Sequence, residues 1–415
     1  MASRLPPPLR FPQFRLLVAA ILTMRLAGQM IAVAIGWQVY AIHQDPLDLG
    51  LIGLAEFAPL PLLALPAGQL ADRVPRRLVF VSSLLLNAAV PLCLLVVTVG
   101  GATVLWPFFA LAVANGVSTA VGNPAVRALP PALVPLELLP QGLALRSIVH
   151  RSAAVAGPAV GGFLFAVRAE AVYAVSAVLF GVAIVCVLRL RAPVVERTTL
   201  TEPPARLDSL LAGLKFIRRT PILLGAISLD LFAVLLGGAV ALLPLFARTV
   251  LHTGPAGLGI LRSAPAVGGL VAAMFLANRS IGPRAGRTLL AMVALFGASM
   301  IVFGLSRAFP LSLAALAVSG FADMYSVNIR ATIATLATPD ELRGRVLAVE
   351  MVFISASNEL GAFESGVAAA LLGAVPAVVA GGLATVALAL IWARVFPPLA
   401  EVGRLEELRP VPMRT

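Results

Sequence analysis

Apolar runs of about 20 residues recur along the chain, beginning near residues 14, 48, 77, 103, 141, 171, 221, 256, 287, 310, 344 and 374. A helix needs roughly 20 mostly apolar residues to cross a bilayer. Backbone polar groups in lipid must be satisfied inside the segment, and these runs are far too long for barrel strands. The pattern predicts an all-α membrane protein with twelve transmembrane helices. The first run, about Leu16 to Tyr40, follows basic Arg4 and Arg10 and is too long for a signal-peptide core, so it reads as a retained first span.

The polar breaks alternate in charge. Arg73, Arg76 and Arg77 follow the second span. Arg189, Arg191, Arg197, Arg206, Lys215, Arg218 and Arg219 follow the sixth, Arg279, Arg284 and Arg287 the eighth, and Arg343 and Arg345 the tenth. Residues 42–49, 98–106 and 372–377 contain no Lys or Arg. The positive-inside rule then puts both termini and the arginine-rich connections in the cytoplasm, in a multi-pass protein of a prokaryotic inner membrane.

Residues 191–220 form the longest and most polar connection. Thr198, Thr199, Thr201, Glu202, Pro203 and Pro204 read as a linker. Leu207, Leu210, Leu211 and Leu214 then follow helical spacing beside Lys215, Arg218 and Arg219, predicting a short amphipathic helix on the inner membrane surface. The halves repeat. A shift of 206 residues lays Gly53 on Gly259, Ala58-Pro59 on Ala264-Pro265, and Ala71-Asp72-Arg73 on Ala277-Asn278-Arg279. A shift of 204 lays Pro135-Leu136-Glu137-Leu138 on Pro339-Asp340-Glu341-Leu342. Two six-helix bundles are expected, residues 1–190 and 221–400, joined by the linker 191–220 and followed by a cytoplasmic tail, 401–415.

Composition fits this picture. Of 415 residues, 60% are hydrophobic and 12% charged, and the mean hydropathy is +0.99, where a soluble chain is about a quarter charged. The net charge of +12 is a topology signal, so no nucleic-acid partner is expected. Cys93 and Cys186 lie far apart in apolar runs, and His43, His150 and His252 are scattered, which gives neither a disulfide framework nor a metal site. No cofactor is expected. Lys215 is the only lysine, so no phosphate-binding Gly-x-x-x-x-Gly-Lys loop exists and an ATP-driven pump is excluded within this chain. No catalytic cluster suggests a membrane-embedded enzyme.

Between spans 2 and 3 the chain reads Gly68-Gln-Leu-Ala-Asp72-Arg73-Val-Pro75-Arg76-Arg77. This resembles the loop signature of the major facilitator superfamily, Gly-x-Leu-Ala-Asp-Arg-x-Gly-Arg-Arg/Lys, with Pro75 in place of a glycine. Pro fixes φ near −65°, so the turn must differ locally. In span 5, Gly157-Pro158-Ala-Val-Gly161-Gly162 resembles the Gly-Pro-x-x-Gly-Gly element of exporter branches. Two readings of it stay open: a helix bend tied to export, or close helix packing through Gly157 and Gly161. The order of these elements, with Arg-Gly-Arg at 343–345, resembles the twelve-span efflux subgroup that contains the bacterial enterobactin exporter. The resemblance implies the major facilitator fold and antiport: efflux of a small amphipathic molecule, a drug or a siderophore-like compound, by alternating access against protons. It also implies that Asp72, with Arg73, Arg76 and the start of span 11, latches a cytoplasmic gate. A lipid or lysolipid transporter of the same fold is the alternative.

Thr338-Pro339-Asp340-Glu341 opens span 11 with the residues of an N-cap, a first helical proline and a capping box. Spans 4 and 10 each carry a polar face: Asn115, Ser118, Thr119, Gly122, Asn123 and Arg127 in one, Ser319, Asp323, Ser326 and Arg330 in the other. Charges inside a bilayer are costly and face a cavity or one another. Those predicted within spans are Arg25, Glu56, Arg146, His150, Arg151, Asp230, Asp323, Glu350, Glu359 and Glu364. Arg25, Glu56, Arg151, Asp230, Asp323 and Glu359 are the candidates to line a proton or substrate cavity. Glu350 and Glu364 share a helix face about 21 Å apart along the axis, with Glu359 nearly opposite. Arg25 and Glu56 fall roughly 10 Å apart in depth, so no contact is expected. Asp323 and Glu359 lie closest to mid-membrane, where a desolvated carboxylate can load and release a coupling proton or simply pair with a neighbouring helix. The expected partners are a small-molecule substrate, protons and membrane lipid, with the protein a monomer.

Reporter fusions after residues 45, 75, 200 and 375 are expected to read outside, inside, inside and outside. An outside signal at 200 would overturn the two-bundle organisation.

Overall fold

A computed structural model describes residues 6–101, 103–191, 207–279 and 281–410. In chain order its helices are α1 (Pro12–His43), α2 (Pro46–Phe57), α3 (Pro59–Arg73), α4 (Arg76–Val99), α5 (Trp106–Ala128), α6 (Leu139–Val167), α7 (Ala169–Leu188), α8 (Leu207–Arg219), α9 (Pro221–Gly237), the single turn α10 (Leu243–Leu245), α11 (Gly254–Asn278), α12 (Ala285–Leu305), α13 (Phe309–Ala337), α14 (Asp340–Leu372), α15 (Ala374–Val395) and the short α16 (Pro397–Ala400). Proline sits in the first turn of α1, α3, α5, α6, α9 and α13, where its missing N–H has no partner to lose. Gly373, at φ 89°, makes the one-residue turn from α14 to α15 that a side chain would strain.

Among the described residues, eleven segments are long and apolar enough to cross a membrane. Helix α5, with 23 residues, is also long enough. Its Asn115, Ser118, Thr119 and Asn123 make it less apolar than the rest. With α5 the crossings number twelve. Two crossings are broken. Pro59 lacks an N–H and divides the second into α2 and α3 at Ala58. The seventh runs through α9, a tight turn at residues 239–242, α10, and a widened turn at Phe246–Val250 that Leu251 closes by donating to the Phe246 carbonyl at 2.8 Å.

The chain divides into two compact units. The first holds residues 1–44, 51–204 and 253–263; the second holds 45–50, 205–252 and 264–415. In the first, α1 packs on α6 and α7, and α4 on α5 and α7. In the second, α9 packs on α14 and α15, and α12 on α13 and α15. The same pattern, displaced by half the chain, is the structural counterpart of the sequence repeat.

Lipid tails are as apolar as leucine, so burial gives membrane helices little reason to meet; close packing of small residues does. A β-carbon on Gly161 of α6 would lie 2.7 Å from the Met30 Cα of α1, and one on Gly157 2.5 Å from the Gln29 Cβ. One on Gly162, the other face of the motif, would lie 2.8 Å from the Gly259 Cα at the start of α11. The Gly-Pro-x-x-Gly-Gly element thus packs α6 tightly on two sides. Gly116 of α5 rests on the Glu56 carbonyl, and Gly320 of α13, 204 residues on, rests on the Pro265 carbonyl. Pro265 aligns with Pro59, one turn on from Glu56, so the repeat keeps a close glycine–backbone contact between these crossings but shifts it by a turn.

One local expectation changes, the Thr338 cap, and two gain detail. Helix α8 forms, and among its described residues Gly213 and Ile217 are buried, with Leu214 and Phe216 against Ile227, Val346 and Val349. It docks on α14 and α9, and Leu211 is exposed. The side chains of Leu207 and Leu210 lie outside the described residues, as does the Thr/Pro linker 192–206. Thr338 does not cap α14. Its hydroxyl donates to the Ala334 carbonyl at 2.6 Å, closing the last turn of α13, and Pro339 occupies the cap position. The expected tail starts docked: Leu399, Val402 and Leu405 are buried in the core with Leu289 and Ile333. There Ala285 and Gly286 donate to the carbonyls of Gly403 and Val402 at 3.0 and 3.1 Å, satisfying the start of α12.

Gly116→Val and Gly320→Val are each expected to lower the thermal midpoint of the purified protein by several degrees. Overpacking costs about 1–3 kcal/mol, and here the obstructing atoms are backbone. Gly28→Ala has no atom within 4 Å to meet and should leave the midpoint unchanged. Equal midpoints for all three would remove the packing role of the repeated glycines.

Candidate transport site

Five basic groups of the first unit form a chain of electrostatic neighbours. Arg146 and Arg127 act on Arg25. Arg127 acts on Arg146, and Arg25, Arg151 and Arg146 act on His150. They come from three helices: Arg25 from α1, Arg127 from the last turn of α5, and Arg146, His150 and Arg151 from successive turns of α6. Arg25, Arg146 and Arg151 are half-buried, while Arg127 and His150 are exposed. Like charges 4 Å apart repel by about 4 kcal/mol at an effective dielectric near 20, and the cost falls inversely with distance. The contacts of Gly157 and Gly161 lock α6 against α1 and give these groups a rigid frame.

Glu56 stands apart from this cluster. It accepts a hydrogen bond from Asn115 Nδ2 at 2.8 Å, and the charge that acts on it is Arg262 of α11. Arg262 lies 206 residues after Glu56, the same offset that aligns the halves. The two charges therefore hold equivalent positions in the repeat. Sequence reasoning passed over Arg262, although the offset alone could have found it.

In the second unit, Arg330 of α13 forms a buried ion pair with Asp230 of α9, both under 10% exposed. Glu350 of α14 is half-buried. Of the charged groups on the helices around α9, Arg330 and Asp230 are the two that act on it. Each of the three lies roughly 10–15 Å along its helix from the end near α8. Arg330 thus contacts one carboxylate, Asp230, and acts on a second, Glu350, at longer range. Among the described residues, the Arg330 Nε is a buried donor without a hydrogen-bond partner. Asp323 is exposed on α13, and Glu359 is half-buried on α14. Glu364 lies farther along α14, beside Ser365, whose hydroxyl donates to the Gly238 carbonyl at 2.8 Å.

The loop motif spans the end of α3 and the start of α4. Gly68, Asp72 and Arg73 lie in α3, and the side chain of Asp72 is outside the described residues. Pro75 (φ −52°, ψ 123°) precedes α4 at its cap position and accepts from Leu78 at 2.8 Å and Val79 at 3.2 Å. Arg73 and Arg76 are exposed. Arg77 turns to α7, its Nε donating to the Val187 carbonyl at 3.0 Å and a terminal nitrogen to the Leu188 carbonyl. A cation on the last carbonyls of a helix complements its dipole.

This repeated arrangement of long apolar helices is that of the major facilitator fold, and the proteins similar to it are transporters. The sequence pattern of transmembrane secretion effectors matches residues 3–412, and the chain belongs to that family. It is 27% identical over 421 aligned residues to the enterobactin exporter EntS of Citrobacter koseri, covering 97% of this chain and 95% of that protein. It is 29% identical over 373 residues to the multidrug efflux pump Tap of Mycolicibacterium fortuitum, covering 85% and 88%. A solved bacterial homologue of the human lysosomal transporter Spinster superposes with a TM-score of 0.73 at 15% identity, covering 97% of this chain and 99% of that one. A D-xylose–proton symporter gives 0.72 at 12%, covering 96% and 99%. Identities this low show the fold alone.

Proposed function

We propose that the protein is a proton-driven exporter, carrying a small amphipathic molecule out of the cytoplasm by alternating access. Its place is the inner membrane of a prokaryote, as a monomer with both termini inside. Two relatives aligned over most of this chain carry export in their names. The observation that carries the coupling is the Asp230–Arg330–Glu350 group, with one carboxylate more than its single cation can neutralise.

An uncompensated carboxylate in a membrane interior binds a proton or moves to a cation. With Arg330 held by Asp230, Glu350 is the group that takes the proton. When the proton leaves, Glu350 competes for Arg330, whose Nε is the available donor. That competition pulls α14 against α9 and α13, which gives proton occupancy a mechanical consequence. Breaking a buried pair by removing one partner costs about 3–5 kcal/mol, so the alternatives differ by enough to drive a two-state change. Asp323 and Glu359, nearer mid-membrane, are the competing coupling carboxylates.

In inverted vesicles, Glu350→Gln is expected to exchange substrate down its gradient like the wild type. Its accumulation under an imposed pH gradient should fall to the level seen without one. Full gradient-driven accumulation by Glu350→Gln would contradict the assignment. The same loss in Asp323→Asn or Glu359→Gln, with Glu350→Gln intact, would move the coupling site there.

A further inference from the structure

We propose that the break in the seventh crossing binds one sodium ion, held by Glu364 and Ser365 of α14 and by the Gly238 carbonyl.

The backbone opens a place for it. Helix α9 stops at Gly237, and Gly238 leaves the helix at φ −79°, ψ 85° before the tight turn at residues 239–242. The last carbonyls of a helix have no partner within it. Broken backbone at membrane depth is tolerated where it is buried in protein or lines a wet cavity. Here it lines one. The cavity is about 10 Å³, room for one water-sized sphere, and its walls include Gly237, Gly238, Ala239, Glu364 and Ser365. Gly237 and Gly238 have no side chains, so they bring only backbone to it.

Three kinds of oxygen converge there. The Ser365 hydroxyl donates to the Gly238 carbonyl at 2.8 Å. The same hydroxyl is the hydrogen-bonding neighbour of the Glu364 carboxylate. A hydroxyl has one proton, so it cannot serve both acceptors. Arg262 acts on Glu56 and Arg330 on Glu350, whereas the group that acts on Glu364 is this neutral hydroxyl. Glu364 is half-buried and lies eight residues before the end of α14 at Leu372, about 12 Å along the axis. A carboxylate inside a span is costly until a positive charge joins it. A cation in the cavity meets the carboxylate, the hydroxyl lone pairs and the Gly238 carbonyl together. Broken membrane helices coordinate cations through unwound carbonyls in this way.

Charge and room select the ion. One carboxylate among neutral oxygens balances a single positive charge. Ca²⁺ takes about 6–8 oxygen ligands and Mg²⁺ keeps several of its waters, and a cavity for one small sphere suits neither. A carboxylate also gives the site a strong field, which favours Na⁺ over the larger K⁺. The walls are fixed. A β-carbon on Gly361 of α14 would lie 2.8 Å from the Val234 carbonyl oxygen, and Gly381 of α15 rests on the Leu236 carbonyl. One on Gly237 would lie 2.7 Å from the Phe296 ring and 2.8 Å from the Thr385 hydroxyl. Such a frame holds the oxygens in place before the ion arrives, and a bound ion ties α14 to the break.

The test uses the full-length protein in phosphatidylcholine nanodiscs at matched chloride, with Na⁺, K⁺ or N-methyl-D-glucamine as the cation. No substrate is present, so the result is independent of the exporter reading. Na⁺ should raise the thermal midpoint by a few degrees over N-methyl-D-glucamine, the rise growing with the logarithm of its concentration, and K⁺ should do so less. Radioactive sodium should bind at one ion per chain. Glu364→Gln should weaken that binding by about tenfold or more, as expected for loss of a charged ligand, and should remove the sodium-dependent rise. Ser365→Ala and Glu364→Asp should weaken it by several-fold, and they carry the test if Glu364→Gln does not fold. Equal midpoints in Na⁺ and N-methyl-D-glucamine would overturn the proposal, because the cavity would then hold a water and Glu364 a proton. So would CaCl₂ stabilising the protein as well as NaCl, or sodium binding unchanged in the variants.

Discussion

Inside a bilayer there is no water to accept a backbone hydrogen bond and no hydrophobic gain in pressing two apolar helices together. Backbone satisfaction forces the described residues into helices. Helix association is left to contacts that bring backbones close, and this chain makes them with glycine. Gly161 and Gly157 seat α6 on α1, Gly116 seats α5 on Glu56, and Gly320 seats α13 on Pro265. The charged groups depend on this frame, since neither a basic cluster nor a shared guanidinium keeps its shape on helices free to slide.

The two units treat charge differently. The first gathers basic groups that repel one another, and the second gives one arginine two carboxylates. The proposed coupling uses the second, where a proton on Glu350 would leave Arg330 to Asp230. A transporter needs such incompleteness, because only a ligand with different affinities for two states can shift the balance between them.

Much of this was legible in the sequence, because lipid imposes long-period patterns. Span length, arginine alternation and the half-chain offset mark crossings and repeats without any knowledge of contacts. What escaped depends on which atom meets which. Thr338 has the composition of a cap, yet its hydroxyl donates back to the Ala334 carbonyl of the preceding turn and Pro339 takes the cap position. The leucines of α8 suggest a membrane-facing stripe, but Gly213 lets the helix approach Arg345 of α14 closely, and the buried face follows that contact. Arg77 belongs to a recognisable loop motif, and its hydrogen bonds go to the end of α7, more than a hundred residues away. Arg330 was visible as polar, but its pairing with Asp230 joins helices whose register no single sequence specifies.

The central claim is that a proton gradient drives small molecules outward through this protein. A panel of anionic, neutral and cationic compounds in inverted vesicles, with an imposed pH gradient switched on and off, tests it most directly. The account predicts uptake of at least one compound of the panel that rises above equilibrium with the gradient on and collapses when it is dissipated. Uptake that never exceeds equilibrium, or that ignores the gradient, would contradict it.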